Sequence, residues 1–197
     1  MTIADYGVGN LHSVKKAFEK NGAVVRIASD MKDLLGSECI VFPGVGAFDS
    51  TMARLLPYRE DLREHLLSGV PALGICIGMQ ILFGSSEEGS SEGVGAFSGR
   101  IVKLSAKRIP HMGWNNVATA DVLMAGIERK EFYFAHSYMA SADRKENIIG
   151  TTEYEGEKFP SFFRIANTYG TQFHPEKSSA SGLALIKNFI GFAEETK

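Results

Sequence analysis

Two stretches of this chain, CIVFPG at residues 39–44 and PALGI at 71–75, carry no charged, hydroxyl or amide side chain. A strand with one wet face alternates apolar and polar residues. A strand that is apolar at every position is covered on both faces, as in a parallel sheet. Parallel neighbours also need a crossover of a dozen or more residues, normally a helix. The segments in between supply such crossovers. NLHSVKKAFEKNG, residues 10–22, sets Leu11, Val14 and Phe18 at helical spacing and ends at Gly22. SDMKDLLG reads as a short helix opening on a capping residue, and RLLPYREDLREHLLS, residues 54–68, as a helical stretch. With TIAD and VVRIAS as further short strands, the first half predicts a mostly parallel sheet flanked by helices.

The second half has a different texture. SSEEGSSEGVG, residues 85–95, is polar and glycine-rich, and is either a solvated linker or a loop with a role of its own. After it, GRIVKLS, NNVATA, FYFAHSYMAS, NIIGTTEYEG and FFRIANTYGTQF look like strands with no long helix between them, so antiparallel pairing is expected. The closing segment SGLALIKNFIGFAEE is helical. Its face of Leu183, Ile186, Phe189 and Ile190 needs the first sheet to cover it, so residues 1–197 are expected to form one α/β domain.

Bulk properties narrow the function classes. No run of about 18 apolar residues occurs, so no membrane span is expected. The N-terminal MTIADYGVGN lacks the basic-then-apolar pattern of a signal peptide. A net charge of −2, with both signs spread along the chain, argues against nucleic acid or an anionic membrane as the main partner. The two cysteines, Cys39 and Cys76, sit in no CxxC or Cys/His cluster, which argues against a disulfide framework and a structural metal site. A reducing, cytoplasmic setting fits.

Cys76 stands out because glycines flank it two residues away on each side, in GICIG, between a predicted strand and a predicted helix. Glycine weakens both elements, so its presence needs a reason. The serine version of G-x-C-x-G is the nucleophile elbow, a sharp strand-to-helix turn where side chains at the flanking positions would collide. Such a turn lifts the sulfur out of the sheet to a helix N-terminus, which favours a thiolate. It also frees the N–H of Ile77 for an oxyanion. Cys39, in CIVFPG, has no such flanks and reads as core.

A thiolate nucleophile needs a base and a group to orient that base. His12 and His65 lie on helical segments and suit solvent-facing or capping roles; His111 and His136 sit in PHMGWN and FAHSY. His174 ends an apolar strand in TQFHPEKS, with Glu176 two residues on. The proline between them prevents a helix and fixes a turn in which both side chains can point to one side. PGVGAF, residues 43–48, lies at the C-terminal end of a predicted strand, where sites in parallel sheets gather, and could aim main-chain N–H groups at the sulfur. DYGVGN gives G-x-G-x-x-H rather than G-x-G-x-x-G, and no GKS/T occurs, so a nucleotide site has weak support.

Taken together, GICIGMQ and HPE resemble the triad class of glutamine amidotransferases. DYGVGNL, PGVGAF, HMGWN, YFAHSY and QFHPEKS, in this order, resemble the glutaminase subunits of imidazole glycerol phosphate synthase, from residue 5 to about 178. The resemblance implies a class I, flavodoxin-like fold with extra antiparallel strands. It implies Cys76 as nucleophile, His174 as general base and acid and Glu176 as orienting carboxylate. Gly44, Val45 and Gly46 would form an oxyanion strand alongside Ile77. Gln80 would hold the amino-acid end of glutamine, helped by the main chain near His136, Ser137 and Tyr138. Pro110, Met112, Trp114 and Asn115 would face a TIM-barrel cyclase subunit that receives the ammonia, and no metal or organic cofactor would be needed. Ile77 stands where the family often has leucine, and GVGAFSGRIVKL is a looser match. The nearest rival is the glutaminase subunit of pyridoxal phosphate synthase; a cysteine peptidase and a binding module without activity are rivals from other classes.

Overall fold

A computed structural model describes residues 1–7, 11–44 and 46–196. Its first half alternates strand and helix: β1 (Thr2–Ala4), α1 (Leu11–Lys20), β2 (Arg26–Ala28), β3 (Ile40–Phe42), α2 (Phe48–Leu55), α3 (Arg59–Leu67), β4 (Ala72–Ile75) and α4 (Ile77–Gln80). There follow β5 (Gly99–Lys103), β6 (His111–Asn116), β7 (Ala118–Thr119), β8 (Glu131–His136), β9 (Tyr138–Ala142), β10 (Ile148–Tyr154), β11 (Glu157–Ile165), β12 (Thr168–Thr171) and α5 (Ser179–Glu195). Among the described residues eight strands make the main sheet, in the order β2-β1-β3-β4-β12-β11-β10-β7. The pairs from β2 to β12 are parallel and those from β12 to β7 antiparallel. β5–β9 and β6–β8 form two further antiparallel ribbons.

The apolar runs do what their composition requires. Along β1, β3 and β4, alternate residues enter two separate cores: Ile3, Val41, Leu73 and Ile75 on one face, Ala4, Ile40, Phe42 and Ala72 on the other. Val14 and Phe18 of α1 and Ile186 and Phe189 of α5 cover the first face. Phe48, Met52 and Leu55 of α2 and Leu62 and Leu66 of α3 cover the second. Each fully buried side chain of this size contributes about 1.5–3 kcal/mol of transfer free energy.

Several local readings are corrected. The stretch 54–68 is not one helix: α2 ends at Leu55, a 3₁₀ turn spans Leu56–Tyr58, and α3 starts at Arg59. Pro57, which has no N–H to continue a helical ladder, lies in the turn. FYFAHSYMAS breaks at Ser137 into β8 and β9, which pair with different strands. FFRIANTYGTQF turns back at Ala166, whose φ is 48°; β12 pairs antiparallel with β11, as expected, and on its other edge runs parallel to β4. The helix after Cys76 is a single turn. In α5 the buried face is Gly182, Leu185, Ile186, Phe189, Ile190 and Ala193, with Leu183 at its margin.

The polar segment 85–95 is tethered along its length. The Phe48 N–H, at the start of α2, donates to Glu88 Oε2 at 3.0 Å, and Asp49 accepts the N–H groups of Ser90 and Ser91 at 3.1 and 2.9 Å. The loop thereby braces the chain just past Gly46. Among the described residues no helix is long and apolar enough to cross a membrane, and no cluster of three or more His, Cys, Asp and Glu side chains is arranged to hold a metal.

Candidate active site

Cys76 sits on the connection from β4 to α4 with φ 50° and ψ −110°, a conformation that L residues reach only under strain. The flanking glycines fit the space this turn leaves. A Cβ on Gly74 would lie 2.8 Å from the Met79 backbone. One on Gly78 would collide with the Phe42 carbonyl and lie 2.8 Å from the Pro43 carbonyl oxygen. The turn is pinned to β12 by a 2.7 Å bond from the Cys76 N–H to the Thr171 carbonyl. As first residue of α4, Ile77 carries an N–H that the helix itself leaves without an acceptor.

His174 follows β12, and its backbone is clamped. Its N–H donates to the Tyr133 carbonyl at 2.8 Å, and its carbonyl accepts from the Ser178 hydroxyl at 2.6 Å. Ser178 Oγ in turn takes the Tyr133 N–H at 2.9 Å. Pro175 opens a 3₁₀ turn, Pro175–Lys177, where the missing N–H costs nothing. The proline starts a helical turn here rather than excluding one. That turn brings Glu176 Oε1 to 2.8 Å from His174 Nδ1, with both side chains buried. Glu176 Oε2 is buried without a hydrogen-bond partner among the described residues, so the carboxylate's one direct bond is to the imidazole. Burial alone would push the His174 imidazole toward neutrality. The charge and hydrogen bond of Cys76, then those of Glu176, overcome it and raise its pKa to about 10.

Cys76, His174, Gly44, Gly46, Ile77, Gln80, Pro110, Met112, His136, Ser137 and Tyr138 line one cleft of about 310 Å³. Of the expected oxyanion residues, Val45 lies outside the described residues, as do Val8, Gly9 and Asn10 of DYGVGN. Gly44 packs so closely that a Cβ there would lie 3.0 Å from His174 Cε1. Gly46 has φ 131°, a left-handed backbone that glycine alone adopts readily. Gln80, one helical turn after Cys76, donates through Nε2 to the Tyr138 carbonyl at 3.1 Å. That carbonyl also accepts from His136 Nδ1 at 2.8 Å, and the Ser137 carbonyl accepts the Leu104 N–H at 2.9 Å. Both carbonyls thus already accept bonds from within the chain.

Met112, which lines the cleft, and Trp114, two residues further along β6, are exposed at 63% and 49%, with the Trp114 ring edge-on to Tyr133. Asn115, expected at the same face, is half-buried. Its amide donates within the chain, to the Glu153 carbonyl at 2.8 Å and toward His111 Nε2 at 3.2 Å. His12 is exposed and His65 bonds the Ser37 carbonyl at 3.2 Å, neither near the cleft. Cys39 is buried in the core.

Sequence reasoning missed three contributors. Glu88 and Lys177 line the cleft. Gln172, wholly buried, lies with Nε2 3.7 Å from Cys76 Sγ. His111 and His136 also form an unforeseen pair, Nδ1 to Nε2 at 3.0 Å. The Tyr138 carbonyl can only accept, so His136 donates from Nδ1 and accepts at Nε2 from His111. Burial keeps both rings neutral, with pKa values lowered to about 4 for His111 and about 3 for His136.

The chain matches the family model "Glutamine amidotransferase class-I" over residues 2–191. It is 41% identical over 206 residues to the imidazole glycerol phosphate synthase subunit HisH of Natronomonas pharaonis, covering 99% of this chain and 95% of that protein. It is 44% identical over 193 residues to the subunit of the same name from Methanocaldococcus jannaschii, covering 95% and 97%. Its fold is similar to the glutaminase domain of Trypanosoma brucei CTPS with bound acivicin, with a TM-score of 0.68 at 17% identity over 98% of this chain and 93% of that one.

Proposed function

The chain belongs to the class-I glutamine amidotransferase family, and we propose that it hydrolyses L-glutamine through Cys76, His174 and Glu176 and delivers the ammonia to a cyclase subunit of imidazole glycerol phosphate synthase. The observation that carries this reading is the convergence of a strained, glycine-flanked cysteine and a carboxylate-bound imidazole on one cleft. Cys76 gives its thiol proton to His174 and attacks the side-chain amide carbon as a thiolate. The oxyanion of the tetrahedral intermediate is met by the Ile77 N–H and a main-chain N–H of segment 44–46. The imidazolium gives its proton to the departing ammonia, leaving a thioester. His174, now neutral, takes a proton from water as that water attacks, and glutamate leaves. Glu176 holds the imidazole in the tautomer that both steps use. Gln80 and the main chain of Ser137 and Tyr138 hold the amino-acid end. None of these steps draws on a metal or organic cofactor.

The exposed Met112 and Trp114, with Pro110 at the rim, form the face we assign to a TIM-barrel cyclase, placing the partner over the cleft mouth. There the ammonia would be consumed to give imidazole glycerol phosphate and an aminoimidazole carboxamide ribonucleotide. The test is glutamate release from glutamine by the purified chain, alone and with the cyclase plus its nucleotide ligand. Strong stimulation that Cys76→Ala abolishes is expected. Equal activity in both conditions would overturn the partner assignment, and no activity in either would overturn the chemistry.

A further inference from the structure

Gln172 lies between β12 and His174 and is 0% exposed. A fully buried primary amide must satisfy two donors and an acceptor from its surroundings, or cost free energy. Its neighbours settle which way round it sits. The Tyr138 carbonyl can only accept, so Gln80 turns its NH₂ there at 3.1 Å. The same NH₂ reaches Gln172 at 3.2 Å, so the atom of Gln172 on that side is Oε1. The other end of the amide is then Nε2, and it faces Cys76 Sγ at 3.7 Å. A thiolate accepts hydrogen bonds and cannot donate one, so this orientation suits the charged sulfur. The Gln172 backbone is fixed independently, with its N–H on the Ser161 carbonyl at 2.9 Å.

We propose that Gln172 is a further catalytic residue of the glutaminase reaction, donating an N–H to the Cys76 thiolate while its carbonyl oxygen locks Gln80 for the substrate. The inference rests on the reading of Cys76 as nucleophile. It adds a second group beside the imidazole at the sulfur, and both come from the segment that follows β12. It also ties the nucleophile to the residue that holds the amino-acid end of glutamine. The amide carbon is thereby presented to a sulfur whose position is set by the same hydrogen bonds.

The test uses the full chain with two substitutions. Gln172→Glu keeps the acceptor for Gln80 and replaces the donor with an oxygen. Gln172→Met removes both and is close in length without burying a charge, so it serves if the acid variant does not fold. Alkylation of Cys76 by iodoacetamide at pH 7, followed by mass spectrometry, should slow about fivefold or more in both, the effect of one lost hydrogen bond of ordinary net strength. In glutamine hydrolysis, Gln172→Glu should lower kcat with KM little changed, and Gln172→Met should lower kcat and raise KM. A folded variant alkylated at the wild-type rate would overturn the proposal and leave Gln172 a packing residue. Alkylation requires no turnover of glutamine. A wild-type chain inert toward glutamine both alone and with the cyclase and its nucleotide ligand, with alkylation still slowed in both variants, would therefore sink the glutaminase reading and keep the donor to sulfur.

Discussion

The close approach of α4 to the end of β3 makes Gly78→Ala a severe test of the elbow. A Cβ at this position would lie 2.6 Å from the Phe42 carbonyl carbon and 2.8 Å from the Pro43 oxygen, with the Phe42 oxygen closer still. All three are backbone atoms, so no rotamer change relieves the clash, and either β3 or α4 must shift. Overpacking of this kind costs about 1–3 kcal/mol and more where only backbone can yield, while alanine's better helix propensity returns at most about 1 kcal/mol. A net loss of about 2 kcal/mol lowers Tm by roughly 4–8 °C in a domain of this size. Activity should fall further than stability. The strand end that moves carries Gly44, packed against His174, and a displacement of about 1 Å near reacting groups can cost on the order of a hundredfold in rate. Gly191→Ala is the control. It lies within α5 with nothing within 4 Å of the added Cβ, and it should stabilise by up to about 1 kcal/mol with unchanged activity. Calorimetric melting and glutamate release at saturating glutamine read both effects. A Gly78→Ala chain that melts and turns over like the parent would refute the steric account of the motif.

Three further outcomes follow from the same geometry. Glu176→Gln keeps the shape but removes the charge 2.8 Å from His174; it should lower the imidazole pKa from about 10 and reduce kcat by about thirtyfold, equivalent to ~2 kcal/mol, and an unaltered kcat would sink the orienting role. A glutamine-like electrophile should label Cys76, which lines the cleft, and spare the core residue Cys39; equal labelling in the folded protein would show that the elbow confers no selectivity. Acid should destabilise the fold through the neutral pair His111 and His136, whose folded pKa values of about 4 and about 3 lie below the ordinary 6.5. Between those values the unfolded chain binds protons that the folded chain refuses, so their contribution is whole above pH 6.5 and declines as pH falls toward 4. Urea midpoints at pH 7 and pH 5 should differ less in His111→Asn than in the parent.

What the sequence made legible is what backbone geometry dictates locally. The parallel half of the sheet shows in runs that are apolar at every residue, because a strand buried on both faces has nowhere to put a polar side chain. GICIG is legible because a tight turn excludes Cβ atoms at two fixed offsets. HPE is legible because a base and its orienting acid can be two residues apart. The resemblance to a known family extended that reading to Gln80 and to the 44–46 segment. By contrast, β6 was hidden in HMGWN, where exposed Met112 and Trp114 alternate with Gly113 and break the apolar signal. The loop at 85–95 showed no role because its anchors are the Phe48 N–H and Asp49, some forty residues back.

The polar residues that hold the site were invisible for a related reason. Gln172 meets Cys76 across 96 positions, and His111 meets His136 across 25. A glutamine or histidine in a strand says nothing of its partner until the sheet order is known, because its hydrogen bonds run across strands and not along them. Here the strand order puts β12 beside β4, so the residue after Thr171 reaches the cysteine after Ile75. The antiparallel register of β6 and β8 sets His111 directly opposite His136. Both pairings therefore follow from the topology: the parallel β4–β12 contact supplies the nucleophile's neighbours, and the β6–β8 ribbon fixes the carbonyl on which Gln80 depends. A substitution that moved either strand by one register position would leave the residues of every motif in place and still dismantle the site.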